Sequence, residues 1–189
     1  MLPEPFQRLS PSARTSLAIA PGQVIFRQNG ETSAMYLLQR GSVELQRHSH
    51  AGEKLVIHRV GAGDTFAEAS LFSTVYHCDA VATAAGGVER LDKREVLELF
   101  RTDPEFARAL AARFASQVQS YRRRIELLAI KSAKRRVHTA IMDGVMTGNV
   151  MALSAEIGLT HEATYRALAA LVEDGLLVRV ARGQYRLLG

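Results

Sequence analysis

The sequence predicts an α+β chain in three parts: a strand-rich antiparallel sandwich or barrel, one long helix, and a winged helix-turn-helix. Three observations carry this expectation. First, short runs rich in Val, Ile and Leu lie at 22–26, 35–38, 42–46, 54–60, 79–83 and 88–91. Asn29-Gly30, Arg40-Gly41, Ser49-His50-Ala51-Gly52, Gly61-Ala62-Gly63 and Gly86-Gly87 separate them, and many short strands at such spacing indicate antiparallel pairing rather than an alternating α/β sheet. Second, an apolar row with near-heptad spacing follows in a stretch that starts like a helix. Third, residues 151–188 read as two helices around a glycine turn, followed by two short strands. The expected parts are 1–103, 104–131 and 132–189.

Asp92, with Glu95 three residues on, resembles a capping box and starts a short helix to about residue 101. Asp103-Pro104 opens the long helix, with Asp as N-cap and Pro at the first helical position, and it runs to about Lys131. Leu110, Phe114, Val118, Tyr121, Ile125 and Leu128 follow spacings of 4, 4, 3, 4 and 3, close to a coiled-coil seam. The row could pack wholly on the chain's own sheet. A symmetric dimer is the favoured reading, because paired DNA half-sites call for a two-fold axis. Lys131-Ser132-Ala133-Lys134 is the expected hinge.

Residues 151–157 read as a short helix with Leu153 and Ile157 on one face. Gly158 suits the tight turn, and Thr160 is a good N-cap for a helix from His161 to Asp174, stopped by Gly175. Thr164, Ala167, Leu168 and Leu171 share the face expected to pack inward. His161, Glu162, Tyr165 and Arg166 share the other, and a major groove accepts such a face: Arg can bind guanine O6/N7 and Glu can accept from cytosine N4. Residues 176–180 and 184–188 form the wing around Ala181-Arg182-Gly183, with Arg179, Arg182 and Arg186 where a duplex backbone would pass. The DNA-facing set is Thr160, His161, Glu162, Tyr165, Arg166 and Arg182. The alternatives are a helical hairpin with a solvated charged face, or a winged helix that contacts protein.

The 189-residue chain carries a formal net charge of +5. Residues 1–102 hold 11 basic and 11 acidic side chains and residues 103–189 hold 13 and 8, so the excess lies in the back half. That asymmetry suits a neutral sensing part joined to a phosphate-binding one. Arg122-Arg123-Arg124 and Lys134-Arg135-Arg136 are also consistent with ordinary solvated helix faces. One cysteine, Cys78, excludes an internal disulfide and any four-cysteine metal site. No apolar run approaches a membrane span and no basic–apolar leader is evident, so a soluble, cytoplasmic protein without a membrane partner is expected. No metal-ligand motif, nucleophile elbow or phosphate loop points to catalysis, so no catalytic or metal-binding residues are assigned. A metal-dependent jelly-roll enzyme of the cupin kind would need clustered His and carboxylate ligands. His48 and His50 fit a solvated hairpin tip, and His58 and His138 have structural readings.

In this order the parts resemble the cyclic-AMP receptor protein and fumarate–nitrate regulator (Crp/Fnr) family of bacterial transcription regulators, over nearly the whole chain. Pro21-Gly22-Gln23-Val24-Ile25-Phe26, Gly30-Glu31 and Tyr36-Leu37-Leu38-Gln39-Arg40-Gly41-Ser42-Val43 look like that family's opening strands and turns. Gly63-Asp64-Thr65-Phe66-Ala67-Glu68-Ala69-Ser70-Leu71-Phe72 is similar to the segment that cradles phosphate and ribose in nucleotide-binding members. The resemblance implies a double-stranded β-helix of jelly-roll type, like a cyclic-nucleotide-binding domain, ahead of the dimerisation helix and the winged helix-turn-helix. It also implies double-stranded DNA, a second copy of the chain and RNA polymerase as partners. Glu162 and Arg166 match the base-reading positions, whereas His161 and Tyr165 depart from the cyclic-AMP receptor protein and the fumarate–nitrate regulator respectively.

The resemblance also marks an effector pocket: Glu68, His77, Cys78, Asp79, Tyr121 and Arg122. Nucleotide-binding members carry Arg and Ser where this chain has Cys78 and Asp79, and small hydroxyl residues where it has Tyr121 and Arg122. A thiol supplies no guanidinium fork and a carboxylate repels phosphate, which argues against cyclic AMP. Glu68 then has a structural reading beside its inherited one. The cysteine-rich segment of iron–sulfur members is missing. The cofactor is therefore left unassigned, with haem or a redox-active thiol at His77-Cys78 one reading and a buried cysteine beside a rim histidine the other. The expected function is a homodimeric regulator of a palindromic DNA site, not an enzyme, controlled by a small-molecule or redox signal other than cyclic AMP. A winged-helix regulator acting through protein contacts is the alternative.

Overall fold

A computed structural model describes residues 2–49, 52–145 and 149–188. His50, one of the two hairpin-tip histidines, lies outside them. The chain divides into two compact units, 1–112 and 113–189, so the long helix supplies turns to both.

The front unit is built on antiparallel strands: β1 (Arg14–Ile19), β2 (Val24–Phe26), β3 (Ala34–His48), β4 (Lys54–Val60), β5 (Thr65–Phe66) and β6 (Asp79–Asp92). The runs expected at 35–38 and 42–46 are one strand, as are those at 79–83 and 88–91. Their long strands serve two layers. The first half of β6 pairs with β2 and with the second half of β3, which pairs with β4. The second half of β6 pairs with β1 and with the first half of β3, which pairs with β5. Buried Phe26, Val43, Val60, Ala80 and Ala82 from one layer meet Ile19, Tyr36, Leu38, Phe66 and Val88 from the other. This is the jelly-roll arrangement, and the fold class is the α+β one expected.

Glycine makes the passage between layers possible. At the bend of β3 the register shifts on both sides of Arg40, and Gly41 has φ +95°. A Cβ on Gly86 would sit 2.0 Å from the Arg40 carbonyl oxygen, so the two backbones cross where no side chain fits. Arg40-Gly41 and Gly86-Gly87 are thus bends inside strands, not the turns between strands that their composition suggests. β1 carries mostly exposed residues and no apolar alternation, which is why its strand is not legible locally.

Aromatic side chains fill the roll. Phe26 stacks on Tyr76 at 4.0 Å between centroids and on Tyr36 at 5.5 Å, and Tyr36 stacks on Phe66 at 5.2 Å. The Tyr76 hydroxyl donates to the Ala34 carbonyl at 3.0 Å, so its polar end is satisfied inside the core.

Helix α1 (Lys93–Thr102) starts as expected, with Asp92 accepting from the Arg94 and Glu95 amides. Helix α2 (Pro104–Ala129) follows, with Asp103 accepting from Glu105 N and Phe106 N at 3.0 and 3.1 Å. Leu110 is 0 % exposed within its own chain, so it leaves the expected dimer seam for the protomer core. Phe114 is half-buried, while Val118, Tyr121, Ile125 and Leu128 are exposed.

The back unit adds α3 (Ala133–Met142), α4 (Val150–Glu156), α5 (His161–Glu173), β7 (Leu177–Ala181) and β8 (Gln184–Leu187). Its core gathers Leu127, Val137, Ala140, Leu153, Ile157, Ala167, Leu168, Leu171 and Leu177. The connection into α3 is shorter than a four-residue hinge: α2 ends at Ala129, and Ser132 already caps α3 by accepting from Arg135 N.

The backbone crossing gives a paired expectation. Gly86→Ala should cost about 3 kcal/mol or more, because the obstacle is backbone and cannot rotate away. The melting temperature of the front unit should then fall by on the order of 10 °C. A Cβ on neighbouring Gly87 would meet nothing nearer than 3.6 Å, so Gly87→Ala should stay within about 0.5 kcal/mol. Scanning calorimetry that found both variants equally stable would refute the tight crossing.

Candidate nucleic-acid interface

The turn before α5 is assembled from local bonds. Asn149 accepts from Ala152 N at 2.9 Å and starts α4. The Leu159 amide closes onto Ser154 O at 3.0 Å, and Gly158 sits at φ +63°, where a side chain would be strained. Thr160 Oγ1 accepts from Ala163 N at 3.1 Å, the N-cap bond its position suggested. One turn on, the Thr164 hydroxyl donates to Thr160 O at 3.0 Å from a buried position.

With its start fixed, α5 presents two faces. Thr164, Ala167, Leu168 and Leu171 are buried. His161, Glu162, Tyr165 and Arg166 are exposed. Arg166 Nη1 lies 3.9 Å from Glu162 Oε1, one helical turn away, with both side chains more than 70 % exposed. Such a pair in water contributes about 0–1 kcal/mol. Either partner can therefore leave it for another bond at little cost.

The wing follows without interruption. Gly175, at φ +72°, ends α5, and the Leu188 amide donates to Leu176 O to close the base of the hairpin. Val178 pairs with Arg186 and Arg179 with Tyr185, and Gly183 at φ +74° completes the turn beside exposed Arg182. Arg179, Arg182 and Arg186 are all exposed.

The basic runs have a different fate. Arg123 pairs with Glu126 at 3.1 Å and with Asp143, and Lys134 pairs with Asp174. Arg136 donates to the carbonyls of Leu128, Ile130 and Ile157. Nothing in the composition of these runs marks them as internal ties. Arg122 and Arg135 are exposed.

The effector residues divide between the units. Glu68 is half-buried at the start of a 3-10 turn (Glu68–Phe72), next to Ala67, which holds a left-handed φ of +64°. A non-glycine residue there costs on the order of 1 kcal/mol, so the cradle segment is held in its shape by its surroundings. His77 is exposed, and its carbonyl accepts from Arg47 Nε at 2.8 Å. Cys78 packs against the aromatic core, and burial is the main cause raising its thiol pKa. That environment favours the neutral thiol over a thiolate. Asp79 Oδ1 accepts from Gln28 N at 2.7 Å, so the carboxylate ties β6 to the turn after β2. Tyr121 and Arg122 lie exposed on α2, in the back unit. Among the described residues, no group of three or more His, Cys, Asp or Glu could hold a metal ion.

A jelly-roll unit, a long helix and a winged helix in one chain define a two-unit regulator architecture, and the comparisons with known proteins agree. Residues 17–103 match the cyclic nucleotide-binding domain family. The chain is 30% identical over 170 residues to a cyclic AMP receptor protein from Thermus thermophilus, covering 86% of this chain and 78% of that protein. The solved catabolite activator protein from Thermus thermophilus is 27% identical, with a TM-score of 0.53 over 97% of this chain and 92% of that one. FixK2 from Bradyrhizobium japonicum shares the fold at 21% identity, with a TM-score of 0.69 over 93% of each chain. The chain belongs to the Crp/Fnr family of transcription regulators. No helix among the described residues is long and apolar enough to cross a membrane.

Proposed function

We propose that this chain is a homodimeric regulator whose α5 reads a palindromic DNA site, under control of a signal other than cyclic AMP. The carrying observation is the exposed Glu162–Arg166 pair on a helix whose opposite face is buried. Arg166 is free to exchange a weak ion pair for guanine O6/N7, and Glu162 to accept from cytosine N4. His161, Tyr165 and the N-cap Thr160 flank them, and Arg182 at the wing tip supplies a phosphate contact.

Arg166→Ala should cost about 1–3 kcal/mol on the preferred site and relax one guanine preference in each half-site. Arg182→Ala should weaken all sequences alike and reduce the salt slope by about 1. Binding selection followed by titration at several salt concentrations reads both. Unchanged site preference in Arg166→Ala would defeat this assignment, and salt-independent binding would favour a protein-contact role for the wing.

Dimerisation rests on the exposed row of α2. Val118 is 46 % and Ile125 67 % exposed, on a helix of 26 residues, and such apolar side chains gain by burial against a second copy. Leu110 no longer belongs to that row. Val118→Glu would place two like charges at the two-fold axis and should dissociate the dimer. Sedimentation should then find monomer, with DNA affinity sharply reduced. A dimer of undiminished affinity would contradict the placement.

The departure from cyclic AMP rests on Cys78 and Asp79. The thiol is held neutral by burial, the neighbouring carboxylate is committed to Gln28 N, and Arg47 spends its Nε on the His77 carbonyl. A micromolar ligand has about 8 kcal/mol in total, and losing a charge-assisted fork while meeting a like charge removes several of them. Calorimetry with cyclic AMP is expected to show no binding at micromolar protein. The reading of Cys78 as a core residue beside a rim histidine expects the same preparation to lack a haem absorbance band. A clear micromolar isotherm or such a band would overturn the respective half of this reading.

A further inference from the structure

Arg136 touches both ends of the machinery that orients α5. Its Nε and Nη2 donate to Ile130 O at 2.9 and 2.7 Å, Nη2 also reaches Leu128 O at 3.1 Å, and Nη1 donates to Ile157 O at 3.0 Å. Leu128 lies in the last turn of α2, Ile130 directly follows that helix, and Ile157 is the C-cap of α4. The last carbonyls of a helix have no partners inside it, so a cation with several N–H groups is the natural complement. Here one guanidinium serves two helix ends at once. A lysine could not span them, because its N–H groups radiate from a single atom.

A second contact ties the same two places. A Cβ built on Gly158 would lie 2.6 Å from Leu128 Cδ2, so the last turn of α2 rests directly on the turn between α4 and α5. Two residues beyond Gly158, Thr160 caps α5. The end of α2 and the turn between α4 and α5 are therefore joined at two points, one polar and one apolar. A displacement of one must move the other.

We propose that Arg136 is a positioning residue that fixes the direction of α5 relative to the end of α2, and so sets the spacing at which a dimer's two reading helices meet DNA. This rests on the reading of α5 as the DNA-reading helix and of α2 as the dimer helix. The guanidinium is spent on protein carbonyls, so its role is separable from phosphate binding. Linking two sites raises affinity on the order of 10²–10⁴-fold, and that gain is lost when geometry forbids simultaneous engagement. Removing Arg136 should reduce this linkage gain while leaving each half-site contact intact.

The test compares the full-length parent with Arg136→Lys and, as an independent disturbance of the same joint through Leu128, Gly158→Ala. Each is titrated with duplexes carrying one half-site and with palindromes in which the half-site spacing is varied. Circular dichroism and melting establish which variants are folded. In the parent, one spacing should be preferred. In the folded variants, the ratio of palindrome to half-site affinity should fall by about ten-fold or more, the spacing preference should broaden, and the salt slope per half-site should stay as in the parent. Equal losses on half-site and palindrome would show that Arg136 is merely structural, and a retained spacing preference in both variants would equally overturn the proposal. A parent that binds none of the duplexes would instead defeat the DNA reading, and this inference with it.

Discussion

Three backbone carbonyls at the ends of two helices need hydrogen-bond donors, and the Arg136 guanidinium meets all three. An unpaired backbone carbonyl removed from water costs on the order of 1–3 kcal/mol, so such groups seldom go unmatched. In this chain the match joins the end of α2 to the turn that aims α5. Gly158 then has two reasons to be glycine: its left-handed φ and the Leu128 side chain where a Cβ would stand. The N-cap on Thr160 and the buried face of α5 are local features that this joint ties to the end of α2. What is left exposed, Glu162 and Arg166 among them, is set by what had to be buried.

The front unit is governed by a comparable constraint. A jelly roll needs long strands that pass from one layer to the other, and they must cross closely without breaking their pairing. Gly41 and Gly86 allow this, and the stacked Phe26, Tyr36, Phe66 and Tyr76 fill the space between the layers. Burial and the hydrogen bond to Tyr76 push the Tyr36 phenol pKa upward, as befits a group that is part of the core. Cys78 borders that core and shares its preference for the neutral form.

Electrostatics are distributed less simply than the count of charges suggests. The basic excess lies in residues 103–189, but three of the six residues in the two arginine–lysine runs are bonded to partners within the chain. Arg123 binds Glu126 and Asp143, Lys134 binds Asp174, and Arg136 binds carbonyls. Exposed Arg166, Arg179, Arg182 and Arg186, together with Arg122 and Arg135, are among those that shape the surface potential. A long-range field arises from all of these charges, whereas contact with phosphate needs side chains that can reach it.

The sequence by itself determined the class of fold, the caps and the faces of α5. Asp92, Asp103 and Thr160 each bond to amides two or three residues away, and the buried stripe of α5 repeats within single turns. Such signals are local, so they can be read from neighbouring letters. The near-heptad row of α2 was legible as a row, but periodicity does not say what covers it, and only the tertiary structure places Leu110 in the protomer's own core. Likewise, Gly86 reads as a turn until the Arg40 backbone, 46 residues earlier, is seen beside it. Arg136 reads as one more charge in a basic run until Ile157, 21 residues on, supplies its acceptor. These decisions belong to tertiary structure because the atoms that make them meet across distances no sequence window spans.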